Sequence, residues 1–209
     1  MNVPAEVVIR MPRRDLYSRL TMRRFFACAL LLCASLASAT ELLRDATINA
    51  WRADGVIHVE ASFHVNVSPA LAWRVMTDYE HMAAFVPTMK ESRVVSVAID
   101  RLTVYQKGVA SLAWFSHDWE MEREITLEPE VSIRSHALRG NVKRMEMETH
   151  LTPEGDGVRI RYQALTVPDF WVPPLIGPAL MKSQVTEQFS ALAAEMHRRA
   201  TPAPVPAGQ

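Results

Sequence analysis

Cysteine is nearly missing from this chain, with two in 209 residues, Cys28 and Cys33. Both fall in one short apolar block near the N-terminus, so disulfides, cysteine nucleophiles and thiolate metal sites are excluded from everything downstream. Net charge is missing too, because 23 Lys and Arg balance 23 Asp and Glu. Without clustered positive charge to grip phosphates, no nucleic-acid partner is expected. Membrane-spanning length is also lacking: the apolar block from Phe25 to Leu36 is about 12 residues, against the ~20 needed to cross a hydrocarbon core as a helix. Gly-rich phosphate cradles, a G-x-S-x-G elbow and H-E-x-x-H spacing are absent. The seven histidines, His58, His64, His81, His117, His136, His150 and His197, are scattered. No metal and no cofactor is therefore expected.

Arg23 and Arg24 precede the apolar block, and the small triplet Ala37-Ser38-Ala39 follows it. A basic start, an apolar middle and an A-x-A end make a secretory signal cut near Ala39, which places the mature protein outside the cytoplasm, in the periplasm. Neither cysteine suits lipid attachment, since Leu32 before Cys33 is bulky and Phe26 two positions before Cys28 is aromatic. Residues 1–21 carry Arg10, Arg13, Arg14 and Arg19 against Glu6 and Asp15. They are either a basic extension of the signal or an upstream start that is not used, and an Arg-rich organelle-targeting segment is the competing reading. Loss of residues 1–39 leaves 17 basic and 21 acidic side chains, a net charge of −4. The rest suits one domain, 40–200, followed by a Pro/Ala-rich extended tail, 201–209.

From Val56 to Val67 the chain alternates. Ile57, Val59, Ala61, Phe63, Val65 and Val67 share one parity, and His58, Glu60, Ser62, His64 and Asn66 the other. A strand buried on one face and wet on the other belongs to an antiparallel sheet covered on one side. Ser68-Pro69 then supplies an N-cap and a first-turn proline for a short helix ending near Asp78. Asp78 is placed to cap a second short helix through Phe85, which Pro87 stops. Strand-like runs follow at Met89–Ala98, Leu102–Phe115, His117–Leu127, Val131–Leu138, Val142–Leu151 and Val158–Val167, making seven strands. Met181, Val185, Phe189, Leu192 and Met196 mark the apolar stripe of a long helix running from about Leu175 or Pro178 to Arg199. Lys182, Gln184, Glu187 and Arg198 lie off that stripe.

The expected fold is thus α+β, a curved seven-stranded antiparallel sheet wrapped around a long C-terminal helix, with two short helices after strand 1. If those helices plug one end, sheet and long helix enclose an apolar pocket. Within it, Arg123 stands out, because its strand neighbours of the same parity are Trp119, Met121, Ile125 and Leu127. A buried guanidinium needs a partner, so Arg123 is either a hook for an acidic or carbonyl headgroup or a strand-end or bulge arginine that reaches solvent. Met121, Met145, Met147 and Met181 provide adaptable side chains that suit apolar binding or ordinary core filling. Phe63, Trp119 and Tyr162 share the inward faces, Tyr162 with a hydroxyl to donate, and Val185 faces them from the helix.

The stretch Ser68-Pro69-Ala70-Leu71-Ala72-Trp73-Arg74-Val75-Met76-Thr77-Asp78-Tyr79 leading to Phe85-Val86-Pro87 resembles the START-like helix-grip (SRPBCC) superfamily, in particular its polyketide-cyclase and coenzyme-Q-binding branch. The resemblance covers roughly Gly55 to Arg199. It implies the helix-grip fold and a cavity for lipids, quinones, hormones or polyketides, and it supplies no shared catalytic motif. The expected partner is a hydrophobic small molecule or lipid, bound by Phe63, Trp119, Met121, Arg123, Met145, Met147, Tyr162, Met181 and Val185. A cyclase or hydrolase working in the same pocket and an envelope protein-interaction module are the alternatives. The apolar loop Phe170–Pro178 either packs the helix onto the sheet or touches a membrane while cargo passes.

Overall fold

Asp54 and Gly55 take positive φ values of 49° and 81°, the backbone of a tight hairpin turn. They join strand β1 (Arg44–Ala53) to β2 (Val56–Val65) in the computed structural model, which describes residues 43–201. The expected secretory signal, residues 1–39, and all but the first residue of the expected C-terminal tail lie outside the described residues. Helix α1 (Pro69–Met76) and the single-turn α2 (Met82–Phe85) come next. Six strands follow: β3 (Met89–Val97), β4 (Arg101–Leu112), β5 (Phe115–Glu128), β6 (Ser132–Gly140), β7 (Val142–Glu154) and β8 (Gly157–Pro168). Helix α3 (Ile176–Ala200) ends the fold.

The sheet has eight strands, one more than the sequence announces, and the short helices follow the second strand rather than the first. The extra strand is β1, an edge strand whose side chains from Asp45 to Ala53 are exposed or only half-buried. Its apolar residues that pack against the core are Ile48 and Ala50, too short an alternation to advertise a strand. The order is β1-β2-β8-β7-β6-β5-β4-β3, antiparallel throughout. Ser68 caps α1 by accepting from the Leu71 amide at 3.3 Å, and Pro69 occupies its first turn.

Helix α3 lies across β1, β2 and β4 and meets α1. Its buried residues include Val185, Phe189, Leu192 and Met196, four of the five stripe positions, while Met181 is half-buried. They pack on the inner parity of β2, where Ile57, Val59, Ala61, Phe63 and Val65 are buried. The Asp78 side chain does not cap α2. It accepts from His81 Nδ1 at 2.6 Å and from Arg199 at 2.7 Å, so that the last turn of α3 is tied to the turn after α1. Strands β6 and β7 pair only from Ser132–His136 to Glu146–His150. Beyond that they part on the way to their turn at Asn141, each held by its other neighbour, β5 or β8. Among the described residues no helix is long and apolar enough to cross a membrane.

Candidate functional site

The inner parity of β5 passes His117, Trp119, Met121 and Arg123, and these four side chains line a cavity between the sheet and the N-terminal half of α3. Helix and sheet diverge there. Farther along α3, Phe189 sits 4.7 Å from Phe63 and 5.1 Å from Tyr162, ring centre to ring centre, and the two layers touch. Of the nine residues expected to bind ligand, Trp119, Met121, Arg123, Met145, Met147, Tyr162, Met181 and Val185 come together on the cavity wall. Phe63 does not: Phe189 covers it, and it is part of the solid core.

The space measures about 160 Å³. An engineered cavity of about 150 Å³ takes a benzene ring, so this hollow admits a ring or a short chain with the side chains as placed. Much of its wall is methionine: Met89, Met121, Met145, Met147 and Met181. Unbranched thioethers change rotamer at low cost, which makes the volume adjustable.

Among the described residues Arg123 is the one Lys or Arg on this wall, and it is only 7% exposed. The β5–β6 register shifts beside it, between Glu122 and Arg123, but the extra residue is Leu138 on β6, and Arg123 keeps the inward parity of Trp119 and Met121 rather than reaching solvent. Its guanidinium donates to Ser135 Oγ at 3.2 Å and to the amide oxygen of Gln106. Gln106 in turn donates to Ser92 Oγ at 2.9 Å. Burial pushes the Arg123 guanidinium below its usual range, partly opposed by the facing Tyr79 and Tyr162. Burial raises both phenols to about 12 despite Arg123, so they stay neutral. The Tyr162 hydroxyl donates only to the Met147 sulfur, at 3.1 Å, a weak acceptor.

Three buried side-chain polar atoms among the described residues have no hydrogen-bond partner: His117 Nε2, Arg123 Nε and Thr166 Oγ1. All three residues line this cavity. Buried polar groups are normally paired, so three orphans on one wall depart from the usual pattern and leave hydrogen-bonding capacity there that the described residues do not use. Sequence reasoning missed His117, Thr166 and Gln106. His117 has the parity of Trp119 and Met121, and Gln106 that of Val104, so a stricter reading of alternation reaches both. Gln184, expected off the apolar stripe of α3, also lines the cavity.

The mouth is built from three connections. The β4–β5 hairpin brings His117 into a 3.6 Å stack on Phe170. Asn141, in the β6–β7 turn, bonds the Glu120 amide and the Asp118 carbonyl. The strap between β8 and α3 completes the rim, anchored where Arg52 donates to the Val172 carbonyl at 3.2 Å. Trp171 and Leu175 on the strap are 78% and 90% exposed, and Trp114 at the hairpin tip is 78% exposed.

A larger hollow of about 620 Å³ lies on the outer face of the sheet where β6 and β7 part. It is open and edged by Arg134, Lys143, Arg144, Glu146 and Glu148, so it is a solvated concavity rather than a closed chamber. Met145 and Met147 line both spaces. Among the described residues no group of His, Cys, Asp or Glu is arranged to hold a metal ion.

Residues 56–197 match the sequence profile of a family described as polyketide cyclase/dehydrase and lipid transport. No curated protein matches the chain. Among solved structures, a STAR-related lipid transfer protein from Xanthomonas axonopodis superposes with a TM-score of 0.58 at 16% identity, over 73% of this chain and 98% of the other. An aromatase/cyclase from a Streptomyces species gives 0.58 at 16% identity, over 70% and 96%. A START superfamily protein from Mycobacterium smegmatis gives 0.60 at 13% identity, over 68% and 98%. At these identities the structures establish a shared helix-grip fold.

Proposed function

Because the chain belongs to the polyketide cyclase/dehydrase and lipid transport family, we propose that it is a secreted, periplasmic carrier of a hydrophobic or amphipathic small molecule, a lipid, quinone or isoprenoid. Apolar burial drives binding, and a few polar groups orient the cargo. The observation that carries this reading is the convergence of three unpartnered polar atoms on one methionine-rich cavity. Loading enlarges the hollow by rotating those methionines and lifting the strap from 169 to 175. The exposed Trp171 and Leu175, with Lys143 beside the strap, suit transient contact with an anionic membrane surface while cargo passes.

Mass spectrometry of the protein purified from its expression host, under native conditions and after solvent extraction, tests the carrier role. A co-purifying amphipathic molecule at near-stoichiometric amount is expected, and a protein that stays empty when offered total lipid extract overturns the reading. Secretion is tested by fractionating cells that express the full chain: a periplasmic product beginning near Thr40 is expected, and an uncut cytoplasmic product refutes it.

A further inference from the structure

Arg123 is a buried cation for which the described residues supply no anion. Among the described residues no carboxylate lies within ion-pair distance of it. Its partners are a serine hydroxyl, an amide oxygen and, at 4.0 Å, the Met147 sulfur, all neutral. The Nε–H finds no partner among the described residues. Placing a charge in an apolar interior is strongly unfavourable unless a counter-charge meets it. The surrounding bonds hold the side chain in place. Gln106 presents its oxygen to Arg123 because its amide nitrogen is committed to Ser92, so the guanidinium cannot turn toward solvent without breaking a buried chain of hydrogen bonds.

Position adds direction. Arg123 lies near the plugged end, since Gln106 also reaches Met82 of α2 at 3.5 Å and Tyr79 faces the guanidinium. His117, against Phe170, marks the mouth. The two are six residues apart on β5, about 20 Å of extended strand, with Trp119 and Met121 between them on the same face.

We infer that the cargo has an acidic head, a carboxylate or similar oxyanion on an apolar body, and that it binds head first, its charge on Arg123 at the closed end and its body extending back toward Phe170. This rests on the carrier reading above and narrows it. Arg123 offers the planar fork that a carboxylate accepts from, and Nε–H is the free tine. A neutral lipid would fill the same space and leave the cation unpaired.

Isothermal titration calorimetry of the protein, stripped of bound lipid, with decanoate and with 1-decanol near neutral pH separates the possibilities. The two probes share a hydrocarbon body and differ in head charge. Decanoate is expected to bind at least about ten-fold more tightly. That preference should fall to near parity in Arg123→Met and be partly retained in Arg123→Lys. Equal affinity of the wild-type protein for both probes, or a preference that survives intact in Arg123→Met, overturns the acidic head and leaves the carrier standing. Absence of binding to either probe overturns the carrier reading, and this inference with it. The wild-type comparison decides the matter even if Arg123→Met does not fold.

Discussion

Gly108 and Trp119 stand opposite each other on β4 and β5, and a β-carbon on the glycine would come within 2.7 Å of Cζ2 of the indole. The Thr88 carbonyl crowds the same point from the other side. Only a residue without a side chain leaves room for both Trp119 and the Thr88 carbonyl at this register.

Replacing Gly108 with alanine is therefore expected to cost about 1–3 kcal/mol, through displacement of Trp119 and of the Thr88 segment. Urea unfolding measures the loss, and near-UV circular dichroism reports the moved indole. A variant with wild-type stability and an unchanged aromatic spectrum would show that the sheet gives way there without cost.

Arg123 and Gln106 should impose a stability cost in the free protein. Changing both, Arg123→Met with Gln106→Leu, removes a buried lone charge together with the acceptor that would otherwise be stranded, and should raise stability by about 1–4 kcal/mol. Thermal unfolding reads this as a higher Tm. A lower Tm would mean that the pair holds the fold together.

Acid should weaken the end of α3. Hydrogen bonds from Arg198 and Arg199 outweigh burial and hold the Glu195 carboxyl down to about 2. Its folded value lies below its unfolded one, so its contribution is complete above the ordinary carboxylate range and disappears as pH falls toward 2. Glu195→Gln should lose on the order of 1 kcal/mol at neutral pH, a modest figure because Arg198 is largely solvated, and should flatten the acid limb of the stability curve. Chemical denaturation across that pH range checks it; parallel curves for the two proteins would contradict the assignment.

If the strap meets lipid, Trp171→Ser with Leu175→Ser should reduce binding to vesicles containing anionic phospholipid several-fold while leaving Tm nearly unchanged, since both side chains are exposed. Vesicle flotation measures the first and calorimetry the second. Equal flotation of variant and wild type would remove the strap from the membrane.

Local signals carried most of the fold. The alternation of β2, the Ser68-Pro69 helix start and the stripe on α3 each depend on neighbours within a turn or a few strand positions, and each element lies where its pattern implies. Strand β1 escaped because its core-facing apolar pair, Ile48 and Ala50, is too short an alternation to mark a strand. The site was legible in parity but not in depth. Phe63 and Trp119 are both inward, and only the crossing of α3 decides that one packs under Phe189 and the other borders open space. Asp78 had a local use as a cap, but its guanidinium partner is Arg199, 121 residues away, a distance over which pattern says nothing.

The parting of β6 from β7 gives the far wall an unusual character. Along most of the sheet, hydrogen-bonded backbone separates inside from outside, but past the His136–Glu146 pair β6 and β7 are no longer joined, and Met145, the next residue of β7, borders both the inner cavity and the outer hollow. A methionine side chain at that point can turn without unzipping any rung of the ladder, because β6 and β7 share none there.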